Sequence, residues 1–279
     1  MTMEGKQLKT EYIGANGRAS LIDVSFTNTP QKGVVIFAHG YKGYKDWGAW
    51  QQMEQYFLAH DWSFCKFNFS HNGGTTTQPI DFPDLTAFAT NRYSYELTDL
   101  HAVIQFINEL LETKVPIYLV GHSRGGGMVL LLASHPQVKA FATLAAVADF
   151  EERFVTGKAL LDWKKNGVYH VENKRTKQMM PHHFSFYEDY FEHKEKLHIE
   201  NVLKAMSSPK PMLHIHGKND EAVNFENALR IASWSKGKVL WFENANHTFG
   251  SAHPWKTKSL PNDLKKASEA IVRFFNGIE

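Results

Sequence analysis

The chain has 279 residues, 43% hydrophobic and 22% charged, with 31 Lys and Arg against 29 Asp and Glu for a formal net charge of +2. That is enough apolar material for a single α/β core. With no basic stripe or block of like charge, nucleic acid is not an expected partner. The longest apolar runs, such as MVLLLA, fall far short of the ~20 residues that cross a bilayer, so no membrane partner is expected either. The segment MTMEGKQLKTEY lacks the apolar stretch of a secretory signal, and a single cysteine allows no intrachain disulfide. These features lead to the expectation of a cytoplasmic protein, with Cys65 a small buried hydrophobe inside WSFCKFNF.

In chain order, ASLIDVSF alternates as a half-exposed strand would, and GVVIFAHG is a continuous apolar run of the kind buried on both faces of a sheet. WGAWQQMEQYFLAHD has helical spacing and SFCKFNFS reads as the next strand. SYELTDLHAVIQFINELLE is a long amphipathic helix with Leu97, Leu100, Ile104, Ile107 and Leu111 on one stripe. PIYLVGH, a helix over about 126–135, and VKAFATLAAVA follow. Beyond residue 208 come KPMLHIHG, a helix around ENALRIASW, the strand KVLWFEN and the helix DLKKASEAIVRFFN. This alternation predicts a mostly parallel central sheet with helices on both faces. Ligands of such sheets gather beyond the carboxyl ends of the strands.

Residues 150–208 break the rhythm and mix aromatic with charged residues, too long a stretch for a structureless loop. We read them as a mainly helical cap, with residues 1–149 and 209–279 forming the core. Trp163, Tyr169, Phe184, Phe186 and Tyr190 are candidates to line a pocket beneath it.

The chemistry centres on Gly121-His122-Ser123-Arg124-Gly125, which fits G-x-S-x-G between a strand and a helix. A sharp strand-to-helix turn crowds the residues two positions either side of its apex, and glycine at both removes the clash. A serine hydroxyl needs a base, and a histidine base needs a carboxylate to fix its tautomer. Of 15 histidines, His247 in FENANHTFG follows the strand KVLWF, and Asp220 in HIHGKNDEAV follows PMLHI. Glu221, Glu243 and above all Asp149 compete with Asp220 as the carboxylate. The order Ser123, Asp220, His247 is that of α/β-hydrolases. Two backbone donors are needed for a developing oxyanion; the N–H groups of Tyr41, in FAHGYKGYKDWG, and of Arg124 are the candidates. His39 is read as shaping that loop and not as a base.

Neither a phosphate-binding nor a dinucleotide fingerprint is present, so no cofactor is expected. His182-His183 and the strand pair His214 and His216 lack a thiolate or carboxylate cluster at ligand spacing, so no metal is assigned.

The loops HGYKG, FNFSHNGGT, GHSRGG, HGKNDEAV and NANHTF resemble those of the cinnamoyl- and feruloyl-esterase group of α/β-hydrolases and its dienelactone-hydrolase-like relatives. The resemblance runs over nearly the whole length. It implies the α/β-hydrolase fold, Ser123, Asp220 and His247 as a catalytic triad, and Tyr41 and Arg124 N–H as the oxyanion hole. It also implies a cap inserted between strands six and seven. Two positions depart from the pattern: Ser70-His71-Asn72-Gly73-Gly74 stands where G-H-G-x-S is commoner, and Arg124 stands where glutamine or methionine is frequent. The expected reaction is cleavage of a small-molecule carboxylic ester through an acyl-enzyme. Peptidase or thioesterase action on the same residues, or a non-catalytic binding role, are the alternatives.

Overall fold

The computed structural model describes residues 5–27 and 32–278. The run VVIFA forms β3 (Val34–Ala38), in which every residue is buried. Its neighbours are β4 (Ser63–Phe67) and β5 (Ile117–His122), with β6 (Val138–Leu144) and β9 (Met212–Gly217) beyond β5. Strands sandwiched between two helical layers need apolar residues on both faces, which is why these segments read as continuous and not alternating runs. Val34, Ile36 and Ala38 join one core with Cys65, Phe67 and Leu119, whereas Val35 and Phe37 join the other with Phe64, Tyr118 and Val120.

The eight-stranded sheet has the order β1-β2-β4-β3-β5-β6-β9-β10, with β10 spanning Lys238–Phe242. From β4 to β10 the pairs are parallel. At the other edge, β1 (Gln7–Ile13) pairs antiparallel with β2 (Ala19–Ser25), which pairs antiparallel with β4. The expected mostly parallel sheet is therefore present, with an antiparallel hairpin at one edge whose outer strand the sequence reading did not anticipate. QLKTEYI is largely exposed along its length, so it lacks the apolar run by which the inner strands are recognised.

Helices α1 (Trp50–Leu58) and α10 (Asn262–Asn276) cover the second core through Trp50, Met53, Phe57, Leu264, Ile271 and Phe275. The other core is closed by α3 (Tyr93–Leu111), α4 (Arg124–Leu130) and Ile231 of α9 (Glu226–Ser235). The short α2 (Leu85–Ala89) precedes α3 and is capped by Asp84, whose carboxylate accepts from Ala87 N. Burying a side chain the size of Phe or Leu in such a layer contributes ~1.5–3 kcal/mol.

Between β6 and β9, the sixth and seventh strands of this sheet, lie α5 (Gly157–Asn166), a hairpin of β7 (Val168–Glu172) and β8 (Met179–His183), α6 (Ser185–Glu192), α7 (Lys194–Leu197) and α8 (Ile199–Lys204). The hairpin is an addition to the mainly helical reading. Its second strand contains Pro181 and neither strand is a continuous apolar run, so neither carries the sequence pattern of a buried strand. Trp163 fastens α5 to the hairpin by donating from Nε1 to the carbonyl of His182 at 2.9 Å. Among the described residues no helix is long and apolar enough to cross a membrane.

Candidate active site

The carboxyl ends of β3, β5, β9 and β10 bring the singled-out loops together. Ser123 follows β5 directly and has φ +55° and ψ −120°, a conformation rarely adopted by a residue with a side chain. Its N–H donates to Leu144 O at 2.9 Å and its carbonyl accepts from Gly127 and Val147. Sheet and helix thus hold the strained residue from both sides. The glycines two residues away are required by contact with backbone. A Cβ on Gly121 would lie 2.4 Å from Gly125 O, and one on Gly125 would lie 2.3 Å from Ala38 O.

His247 comes from the loop after β10 and Asp220 from the loop after β9. His247 Nδ1 donates to Asp220 Oδ2 at 2.8 Å, leaving Nε2 as the acceptor nitrogen. His247 and Ser123 line the same two cavities, and neither Ser123 Oγ nor His247 Nε2 is taken up by a hydrogen bond among the described residues. The Asp220 side chain is fully buried. Its Oδ1 accepts from the N–H groups of Ala222 and Val223, both at 2.8 Å, and its Oδ2 also lies 3.1 Å from His216 Nε2. Burial works against the ionised carboxylate, but the hydrogen bonds from His216 and His247 outweigh it and hold Asp220 well below the ordinary carboxylate range.

The rival carboxylates lie elsewhere. Asp149 accepts from Glu151 N and faces Arg230, Glu243 pairs with Lys218 at 2.8 Å, and Glu221 is exposed. In the sequence His216 stands out only as a strand histidine. It holds the same Asp220 oxygen that His247 does, and its Nε2 also contacts Val223 O at 3.0 Å. A histidine directly after Ile215 in an apolar strand reads as interior, and nothing in the sequence links it to a loop four residues on.

His122 anchors the base. Its Nε2 donates to the carbonyl of His247 at 2.9 Å, and its ring lies against Trp50 and His247. Burial pulls this imidazole down to about 3, and the nearby His247 acts in the same direction, so His122 is neutral.

Tyr41 and Arg124 flank the serine. A Cβ on Gly40 would lie 2.9 Å from Ser123 Cβ, so the loop after β3 presses against the serine. The Tyr41 N–H donates to no other described residue. Arg124 is the first residue of α4, where a helical N–H has no carbonyl one turn earlier. The departing loop after β4 braces this arrangement: Phe69 N donates to His39 Nε2 at 3.2 Å, and Asn72 Nδ2 to Gly43 O at 3.2 Å. His39 donates from Nδ1 to Gly40 O, and burial brings it down to about 4, consistent with a loop-shaping residue.

Two cavities meet at Ser123 and His247. One, of about 450 Å³, runs beneath residues 150–208 and is lined by Tyr41, Tyr93, Phe154, Trp163, Tyr169 and Phe186 among others. Of the aromatics expected there, Trp163, Tyr169 and Phe186 line it, while Phe184 and Tyr190 do not. Tyr190 is instead fully buried in the core packing. The second, of about 700 Å³, runs past Trp47, Trp50, His122, Thr248 and the β7–β8 turn. Among the described residues no group of three His, Cys, Asp or Glu is gathered as for a metal ion.

A family model described as the alpha/beta hydrolase fold matches residues 33–177, just over half of the chain. No curated protein matches the sequence. Among solved structures, Est1E from Butyrivibrio proteoclasticus with ferulic acid bound is 18% identical, with 96% of this chain and 99% of that one covered at a TM-score of 0.72. The esterase domain of a Rhodothermus marinus protein is 19% identical, with 96% and 97% covered at 0.64. Mouse alpha/beta hydrolase domain-containing protein 10 is 17% identical, with 96% and 97% covered at 0.67. At these identities the likeness is one of fold.

Proposed function

Because the chain belongs to the alpha/beta hydrolase family, we propose that it is a serine hydrolase that cleaves carboxylic esters through an acyl-enzyme. The observation that carries the reading is the hydrogen bond from His247 Nδ1 to the buried, ionised Asp220, with the strained Ser123 facing the same cavities. Asp220 fixes the tautomer in which Nε2 accepts a proton and steadies the imidazolium formed when it does. His247 takes the Ser123 proton as Oγ attacks the ester carbonyl carbon. The carbonyl oxygen becomes an oxyanion that accepts from the N–H groups of Tyr41 and Arg124. The tetrahedral species collapses as His247 gives the proton to the departing alcohol oxygen. Water then attacks the acyl-enzyme carbon, His247 takes its proton, and the acid leaves with Ser123 restored.

His247 has to reach the leaving oxygen, so the alcohol half belongs in the cavity that also carries Thr248, on the base's own loop, and His122, at the end of β5. The acyl half then belongs in the aromatic cavity under residues 150–208, which act as its cap. The resemblance to an esterase fold with ferulic acid bound is in keeping with an aromatic-walled acyl site.

The test is a panel of matched butyryl substrates: a 4-nitrophenyl ester, a thioester and an anilide. The expected result is that the ester is preferred and that Ser123→Ala turns over none of the three. Preference for the thioester or anilide would move the assignment to a thioesterase or peptidase. Equal turnover by Ser123→Ala would overturn the serine mechanism.

A further inference from the structure

The wall of the smaller cavity is unexpectedly cationic. Lys42, Arg124 and Arg153 line it, and no Asp or Glu is among its lining residues. Arg124 is the innermost. Its side chain is 12% exposed, and its guanidinium carbon lies 4.3, 5.2 and 5.5 Å from the ring centres of Tyr41, Tyr93 and Phe186. One Nη1–H donates to Glu96 Oε1 at 3.2 Å, and the same oxygen also accepts from Asn91 at 2.7 Å. The remaining guanidinium N–H groups donate to no described residue. A guanidinium carries five donors in a rigid fork. Here one is used from behind, and the aromatic rings fix the plane of the rest.

The other two cations have no carboxylate partner among the described residues. Lys42 Nζ donates to the carbonyl of Glu172 at 3.0 Å, and Arg153 to the carbonyl of Ala222 at 3.3 Å. The field they share reaches neighbouring groups: burial lowers the Lys42 ammonium, and Arg124 lowers it further. It likewise helps bring His182, bonded through Nε2 to the Tyr41 hydroxyl, down to about 3 after burial. A wholly apolar acyl chain filling this cavity would cover charged donors and offer them nothing. A carboxylate would accept from the fork of Arg124 and complement the other two charges.

We propose that the smaller cavity takes an acyl group bearing its own carboxylate, so that the preferred substrates are monoesters of dicarboxylic acids, with Arg124 the residue that determines this specificity. The inference rests on the ester-hydrolase reading for the reaction. The anion site itself follows from the cavity wall and is testable without turnover.

The test compares the mono-4-nitrophenyl ester of adipic acid with 4-nitrophenyl hexanoate, which has the same six-carbon chain without the distal carboxylate. The wild type is expected to favour the adipyl ester by at least about tenfold in kcat/KM, mainly through KM. Arg124→Met is expected to abolish or invert that ratio, and Arg124→Lys to keep part of it. If Arg124→Met fails to fold, because Glu96 is left buried and unpaired, Lys42→Met and Arg153→Met serve in its place, each lowering the ratio severalfold. Calorimetric titration of Ser123→Ala with monomethyl adipate and with methyl hexanoate, which differ only in the distal carboxylate, separates the two readings. Binding of monomethyl adipate without binding of methyl hexanoate, even in a protein that hydrolyses neither ester, supports the anion site and counts only against the reaction. A wild-type ratio at or below one, or equal binding of both methyl esters, overturns the inference.

Discussion

Asp220 and Asp99 are both buried carboxyls that accept several hydrogen bonds, yet their surroundings drive them in opposite directions. Asp99, in α3, accepts from Ala15 N and Ser70 N at 2.7 Å and from Ser70 Oγ at 2.9 Å, tying the edge hairpin to the loop after β4. All three donors are neutral. They do not offset burial, which raises the carboxyl to about 7, with Glu96 contributing in the same sense. Asp220 accepts from two backbone N–H groups as well, but its other two partners are histidines, and it is held well below the usual range. The number of hydrogen bonds is similar; the capacity of the donors to carry positive charge is what differs. Asp99 is therefore a structural clasp, and Asp220 is equipped to face a histidine that becomes charged.

The sharpest way to break this comparison is to remove the group that Asp220 is proposed to serve. Ser123→Ala is expected to lower kcat on 4-nitrophenyl butyrate by roughly 10⁶-fold with its melting temperature nearly unchanged, going by the loss seen when a serine nucleophile is removed. A residual rate within tenfold of wild type would detach Ser123 from the chemistry. Next comes the pair Asp220→Asn and Asp99→Asn. The first is expected to reduce kcat by about 10⁴-fold through the wrong histidine tautomer. The second should destabilise the fold and leave kcat within a fewfold. Equal kcat losses in both would erase the distinction drawn here.

The pH dependence of stability sharpens it further, because the signs differ. Asp99 in the folded state holds its proton up to about 7, whereas an unfolded Asp releases it near ~3.9. Between these values the folded state binds the extra proton, so stability falls as pH rises through that window, by at most ~4 kcal/mol for this one group. Asp220 is depressed instead, so its contribution is fully present above ~3.9 and is lost as pH falls through its lower folded value. Urea titrations from pH 4 to 8 should show Asp99→Asn closing its stability gap to wild type as pH rises. A gap that widens would contradict the assignment. The smallest effect is expected for His216→Gln, whose amide can still donate to Asp220: a fewfold drop in kcat and ~1 kcal/mol of stability. A loss as large as that of Asp220→Asn would make His216 far more than a brace.

Much of this arrangement is legible in the sequence, for identifiable reasons. Gly121 and Gly125 mark the elbow because backbone atoms occupy the space a side chain would need. Asp220 follows β9, a continuous apolar run buried on both faces, and His247 follows β10, an apolar edge strand whose residues are mostly half-buried. What escaped is long-range or polar. β1 is an exposed edge strand without an apolar run, and the β7–β8 hairpin carries Pro181 and no buried-strand pattern. In the sequence Arg124 stands out for its backbone N–H and as a departure from a familiar motif, but nothing there marks its side chain as a binding group. Its pairing with Glu96, 28 residues earlier, depends on α3 crossing behind α4, which no local pattern records. His216 looks like any strand interior residue until the turn after β9 folds Asp220 back onto it.

The central claim is that Ser123 is a nucleophile activated by His247 and Asp220, and intact-mass measurement after treatment with a fluorophosphonate addresses it most directly. The account predicts a single adduct on the wild type, mapped by peptide analysis to Ser123, absent from Ser123→Ala and formed far more slowly in His247→Ala. An adduct on another residue, or labelling of wild type and Ser123→Ala at the same rate, would contradict it.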